Sequence, residues 1–362
     1  MAKSTLKLVG VYEPWGPWAR QGRLVRANGT EVGVLVRVLE ETADGEPFAR
    51  LREDARLLGR LQHENALRLE NVSAVGGKMA LVHEGFEGVS AAVITRALGQ
   101  KKQVWPARAA VELAAQVGLA LEEALRIQDG PKRLVHPGPS PDWILVDATG
   151  KIKLAGLMVL HPDLEAPPVP SGYRSPEGGL GLAGAAYMVG ALLIELLGGE
   201  APPDAASESG PHEAVIRRAV IRVLARPGEA PGDATVQILR QALAFDPNTR
   251  GTPGALGRRL RELAVALQSP GLRTWAPSAI PDILASESRP ALPNTTDQSE
   301  VFVLPAAKPA GRSDPLPEAA SQVFQRGKGA LDEVATPEPA ARRLVAPPPS
   351  PTGGGRLARP EA

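Results

Sequence analysis

The stretch Leu134-Val135-His136-Pro137-Gly138-Pro139-Ser140-Pro141-Asp142-Trp143-Ile144-Leu145-Val146-Asp147 decides how the chain is read. Leu134-Val135 and Ile144-Leu145-Val146 are short apolar runs of strand type, and the proline-rich residues between them form a loop. Residues 147–150 turn into a further short strand over 152–154, so the last two strands make a hairpin. Working upstream, residues 31–40 read Glu-Val-Gly-Val-Leu-Val-Arg-Val-Leu-Glu, a buried strand. Phe48, Leu51, Ala55, Leu58 and Leu61 fall on one face of a helix over 48–61. Residues 66–75 and 78–83 are strands around Gly76-Gly77, a hairpin signal. A long amphipathic helix over 107–127 then leads into the opening stretch. Downstream the spacing predicts helices at 181–197, 211–225, 234–244 and 254–267. Strands with one helix, followed by mostly helices, predict an α+β fold in two lobes: a small lobe over 1–86 and a helical large lobe over 87–268.

The 362 residues are 43% hydrophobic and 22% charged, close to globular averages. Their formal net charge of +1 removes the usual electrostatic argument for a nucleic-acid or anionic-membrane partner. Without a single cysteine there is no disulfide scaffold, Cys metal site or Cys nucleophile. The histidines at 63, 83, 136, 161 and 212 never form a close pair of zinc-ligand spacing. The first residues lack the apolar core of an export signal, which predicts the cytoplasm. Residues 178–194 are uncharged, but about 17 residues is short for a bilayer span, and a buried core helix is expected there. Prolines recur from Pro270 onward while large apolar residues thin out, so 269–362 reads as a disordered Pro/Ala/Gly-rich tail. Two islands in it, Ser299-Glu300-Val301-Phe302 and Ser321-Gln322-Val323-Phe324, read as chance or as short docking motifs.

Taken in order, these landmarks resemble the protein kinase fold over most of 5–268, in a degenerate form of the bacterial serine/threonine protein kinases. Val34-Leu35-Val36-Arg37 resembles the strand bearing the family's ATP-facing lysine, and Leu51 to Asn65 the regulatory helix with its His-Pro-Asn turn. The opening stretch resembles the catalytic loop, and Ile152 to Met158 the strand leading into Asp-Phe-Gly. Gly172-Tyr173-Arg174-Ser175-Pro176-Glu177 resembles the end of the activation segment, 187–199 the buried large-lobe helix, and Asp246 to Arg250 the late Asp-Pro-x-x-Arg turn.

Phosphoryl transfer in that family uses a lysine on the phosphates, Mg²⁺ held by an Asp and an Asn, and an Asp near the hydroxyl proton. The resemblance puts Gly138 at the proton-accepting Asp, Ser140 at the loop lysine, Trp143 at the metal-binding Asn and Gly156 at the metal-binding Asp. Arg37 is a vestigial phosphate-side cation, for which Glu53 or Asp54, with spacing favouring Asp54, is the implied partner. Asp54, His136, Glu177 and Arg250 are implied as structural residues: Glu177 with Arg250 as a buried ion pair, and His136 in an apolar column with Leu58 and Leu157. No metal and no cofactor are expected, which leaves room for weak metal-independent ATP binding. The leading expectation is a pseudokinase that scaffolds or regulates a protein partner. The alternatives are a divergent serine/threonine kinase with relocated catalytic groups, and a membrane-associated protein resting on 178–194.

Overall fold

The computed structural model describes residues 5–11, 15, 19–26, 28–225, 232–287 and 298–299. Val34, Leu35 and Val36 explain how the small lobe forms, because the β-branched valines suit a pleated sheet and successive side chains, Leu35 among them, alternate between its faces. Strands β1 (Thr5–Val11), β2 (Ala19–Val25), β3 (Glu31–Thr42), β4 (Leu69–Val75) and β5 (Lys78–Glu84) are joined by a short strand β12 (Gln298–Ser299). They form one antiparallel sheet in the order β12-β1-β2-β3-β5-β4. Val34 and Val36 pack with Leu6, Leu24, Ala80 and Val82 on one face. Leu35 belongs to the opposite face. Helix α1 (Gly45–Leu58) adds Phe48 and Ala55 to Val72, Met79 and Leu81.

The large lobe begins with β6 (Gly88–Ser90) and α2 (Ala91–Gln100), whose first turn is capped by the Ser90 hydroxyl. Helix α3 (Ala107–Arg126) follows, and then the short strands β7 (Gln128–Asp129), β8 (Lys132–Val135), β9 (Ile144–Asp147), β10 (Ile152–Leu154) and β11 (Met158–Leu160). They form two sheets, β10-β9-β6 and β11-β8-β7, so the loop quoted first is held between strands of different sheets. Helices α4 (Leu182–Gly198), α5 (Ser209–Leu224), α6 (Asp233–Ala242) and α7 (Pro253–Ala266) complete the lobe. From Gly184 to Gly198, α4 is buried at every position except Glu195. It is apolar because it is the centre of the lobe, and no helix among the described residues is long and apolar enough to cross a membrane.

The tail boundary at 269 needs correcting. Leu272–Glu287 forms helix α8, with Leu272, Ala276, Ile280 and Ile283 buried in the large-lobe core. Its start is fixed by Glu112, whose carboxylate accepts the Leu272 N–H at 2.8 Å, and Trp275 lies 5.0 Å from the Trp105 ring. Pro277 and Pro281 inside it made the segment look like linker, yet Leu272, Ala276, Ile280 and Ile283 keep a helical stripe. The rest of the expected tail, including Ser321-Gln322-Val323-Phe324, lies outside the described residues, apart from β12.

Replacing Ile280 with Ala is expected to lower unfolding free energy by about 2–5 kcal/mol in urea titrations. Val265→Ala on the exposed face of α7 should change it by no more than about 0.5 kcal/mol. Equal, small effects would show that α8 is not part of the core.

Candidate functional site

The register of the small-lobe sheet gathers one set of side chains toward the large lobe. Ala19 lies opposite Arg37, and Leu35 opposite His83, so all four share a face of the sheet. Trp15, only 2% exposed, packs here with Ala19, Leu35, Leu67, Leu145 and Ala155, bordered by Phe86 and Trp143. The Trp15 ring meets His83 edge-on at 6.2 Å. Burial first, and then the Arg37 charge, push the His83 imidazole down to about 4. Beside them a cavity of about 20 Å³, lined among others by Leu58, Leu61, Leu67 and His83, has room for about one water. In this arrangement the cleft between the lobes is filled by the protein's own aromatic and aliphatic groups.

The large-lobe side of the cleft is built by the quoted loop. A short 3₁₀ turn, Pro141–Trp143, presents the Trp143 ring, and the Arg37 guanidinium lies over it at 4.7 Å from the centroid. Burial lowers the Arg37 pKa, opposed by the Glu41 carboxylate. His136 accepts the Gly138 N–H on Nδ1 at 3.0 Å and so donates from Nε2 to the Ala155 carbonyl at 2.7 Å. A protonated ring would carry a hydrogen on Nδ1 and set it donor to donor against the Gly138 N–H. Burial, reinforced by the Arg37 charge, accordingly lowers the His136 pKa to about 4, although the Ala155 bond favours the charged form.

Gly138 and Gly156 both have positive φ, +141° and +83°. A Cβ on Gly138 would come within 2.8 Å of Pro170 Cδ, and one on Gly156 within 2.9 Å of the Trp143 ring and 3.0 Å of His136 Nε2. Neither position accepts a carboxylate side chain without moving its neighbours. Ser140 bonds Asp142 at 3.4 Å. Among the described residues no group of three or more His, Asp or Glu side chains could hold a metal ion.

The implied partners of Arg37 are engaged elsewhere. Asp54 on α1 receives His161 Nε2 at 2.9 and 3.0 Å on its two oxygens, and Glu53 meets Lys132 at 3.5 Å. The short Asp54 stem and the placement of His161 just after β11 favour that contact, so α1 is tied to the segment following β11. The sequence contained no signal for it, because residues 54 and 161 are far apart in the chain.

Glu177 and Arg250 do form an ion pair, at 2.7 Å, with the Arg250 side chain fully buried. Arg250 also donates to the Ala244 and Phe245 carbonyls. Burial alone would raise the Glu177 pKa, but the Arg250 hydrogen bond outweighs it with help from backbone and Ser175 contacts, leaving it lowered. Leu58 and Leu157 pack in one cluster, and the His136 ring meets the Trp143 ring edge-on at 6.3 Å. A further pair escaped the sequence reading: the Tyr173 hydroxyl donates to Glu195 Oε2 at 2.6 Å, and burial raises both groups' pKa values.

The chain is 27% identical over 331 residues to the serine/threonine-protein kinase PkaA of Streptomyces coelicolor, a match covering 82% of this chain and 58% of that protein. No protein-family model matches the chain. The Mycobacterium tuberculosis PknI kinase domain superposes with a TM-score of 0.49 at 20% identity, covering 71% of this chain and 94% of that domain. The relative and the order of strands and helices together give the chain a protein-kinase-like fold.

The buried imidazoles carry a pH signature. In the fold His83 and His136 stay neutral down to about pH 4, whereas the unfolded chain takes up protons near its ordinary histidine value. Stability should therefore fall as pH drops from about 6.5 toward 4, by roughly 3 kcal/mol per histidine at most. Urea titrations across this range should show a shallower fall for His136→Gln. An unchanged slope would contradict the assigned neutral state.

Proposed function

We propose that this chain is a non-catalytic protein-kinase-like domain, a pseudokinase that regulates or scaffolds a protein partner. One observation carries the reading: the Arg37 guanidinium rests on the Trp143 ring at 4.7 Å, at the place where the kinase resemblance implies a metal-bound phosphate. Phosphoryl transfer relies on electrostatic positioning by cations and carboxylates, and the cleft presents aromatic surface there instead. Mg²⁺-nucleotide does not fit this set of side chains. Trp143 has no oxygen to offer a hard cation, Gly138 and Gly156 lack side chains, and Trp15 fills the slot lined by Leu35, Leu67 and Leu145.

A partner-binding role in the cytoplasm accords with the absence of cysteine and the near-zero net charge, which favours neither nucleic acid nor an anionic membrane as partner. Thr295-Thr296 and Thr336-Pro337, phosphorylation candidates on this reading, lie outside the described residues.

Purified chain incubated with labelled ATP, Mg²⁺ or Mn²⁺ and a generic protein substrate is expected to show no incorporation above background. Incorporation that disappears in Arg37→Ala would establish instead a divergent serine/threonine kinase.

A further inference from the structure

Strand β1 lies outside β2 in the small-lobe sheet, and such an edge offers unpaired backbone N–H and C=O groups to any extended segment. Here β12 takes that place, antiparallel, with Leu6 opposite Ser299 and Lys7 opposite Gln298. These two residues open the run Gln298-Ser299-Glu300-Val301-Phe302-Val303-Leu304, which is rich in strand formers and closed by Pro305, a residue with no N–H to donate. Helix α8 ends at Glu287 against the large lobe, and ten residues separate it from Gln298. An extended connection of that length spans up to roughly 35 Å, about the diameter of a small domain.

We propose that the β1 edge is a strand-addition site and that its occupant is this chain's own segment beginning at Gln298, paired in cis. The backbone ladder supplies the affinity, as in other peptides that extend a sheet. The consequence is a covalent path from the large-lobe core, through α8, back to the outer strand of the small lobe. The same Ser-x-Val-Phe pattern recurs at Ser321-Gln322-Val323-Phe324, which makes that segment the alternative occupant for the test to exclude. This inference is independent of whether the cleft is catalytic.

The cysteine-free chain makes the test direct, since introduced thiols are the only ones present. Lys7 is exposed, so replacing its side chain removes no buried group. In full-length Lys7→Cys/Gln298→Cys, mild oxidation should give a monomeric disulfide at a rate unaffected by dilution. That rate should exceed the Lys7→Cys/Ser350→Cys rate by roughly tenfold or more, beyond what tether length supplies. Equal rates would overturn the proposal. So would faster closure in Lys7→Cys/Ala320→Cys, which marks the second segment as occupant, or a predominantly dimeric product, which marks pairing between chains. In the unaltered chain, the β1 amides that face β12 should exchange slowly with deuterium; exchange at the rate of an open edge would overturn it independently.

Discussion

The stacking of Arg37 on Trp143 is the contact on which the cleft depends, because it joins the small-lobe sheet to the quoted loop of the large lobe. A guanidinium can lie flat on an aromatic face and keep much of its interaction after losing water, which an ammonium does less well. Such a contact contributes about 0.5–2 kcal/mol depending on its burial. Its larger effect is arrangement. With the cation resting on an indole, the space opposite β3 is occupied, and Trp15, His83 and Leu145 close around it.

Several other features follow from that choice. Gly156 must lack a side chain, because the Trp143 ring and His136 stand where a Cβ would go. His136 must remain neutral, since its two nitrogens already accept from Gly138 and donate to Ala155. Asp54, with Arg37 turned toward the loop, makes its contact with His161. The Glu177–Arg250 pair stands apart from the cleft and serves the large lobe, where a fully buried guanidinium is held by one carboxylate and two carbonyls. Removing one member of such a pair is costly because the other stays buried without its counter-charge.

Much of this was legible in the sequence, for physical reasons. The 31–40 strand, the hairpin around Gly76-Gly77 and the four helices from α4 to α7 were readable because their apolar periodicity matches their burial. The Glu177–Arg250 pair was reachable through the kinase resemblance. Helix α8 was not, since Pro277 and Pro281 carry a linker's composition while Ile280 and Ile283 carry a core stripe, and packing decided between them. Helix α2 was likewise missed. In the cleft, the residue types at positions 37, 138, 143 and 156 were visible, but what they touch was not. A contact between Arg37 and Trp143, or between Asp54 and His161, joins residues more than a hundred positions apart and depends on the register of the sheet.

This cleft is filled by its own side chains. Calorimetric titration of the full chain with ATP, with and without Mg²⁺, tests it most directly, with Trp15→Ala measured beside it. The unaltered chain should give no saturable Mg²⁺-dependent heat, and removing the indole should bring a gain of nucleotide binding. Saturable binding that requires Mg²⁺ in the unaltered chain would contradict it.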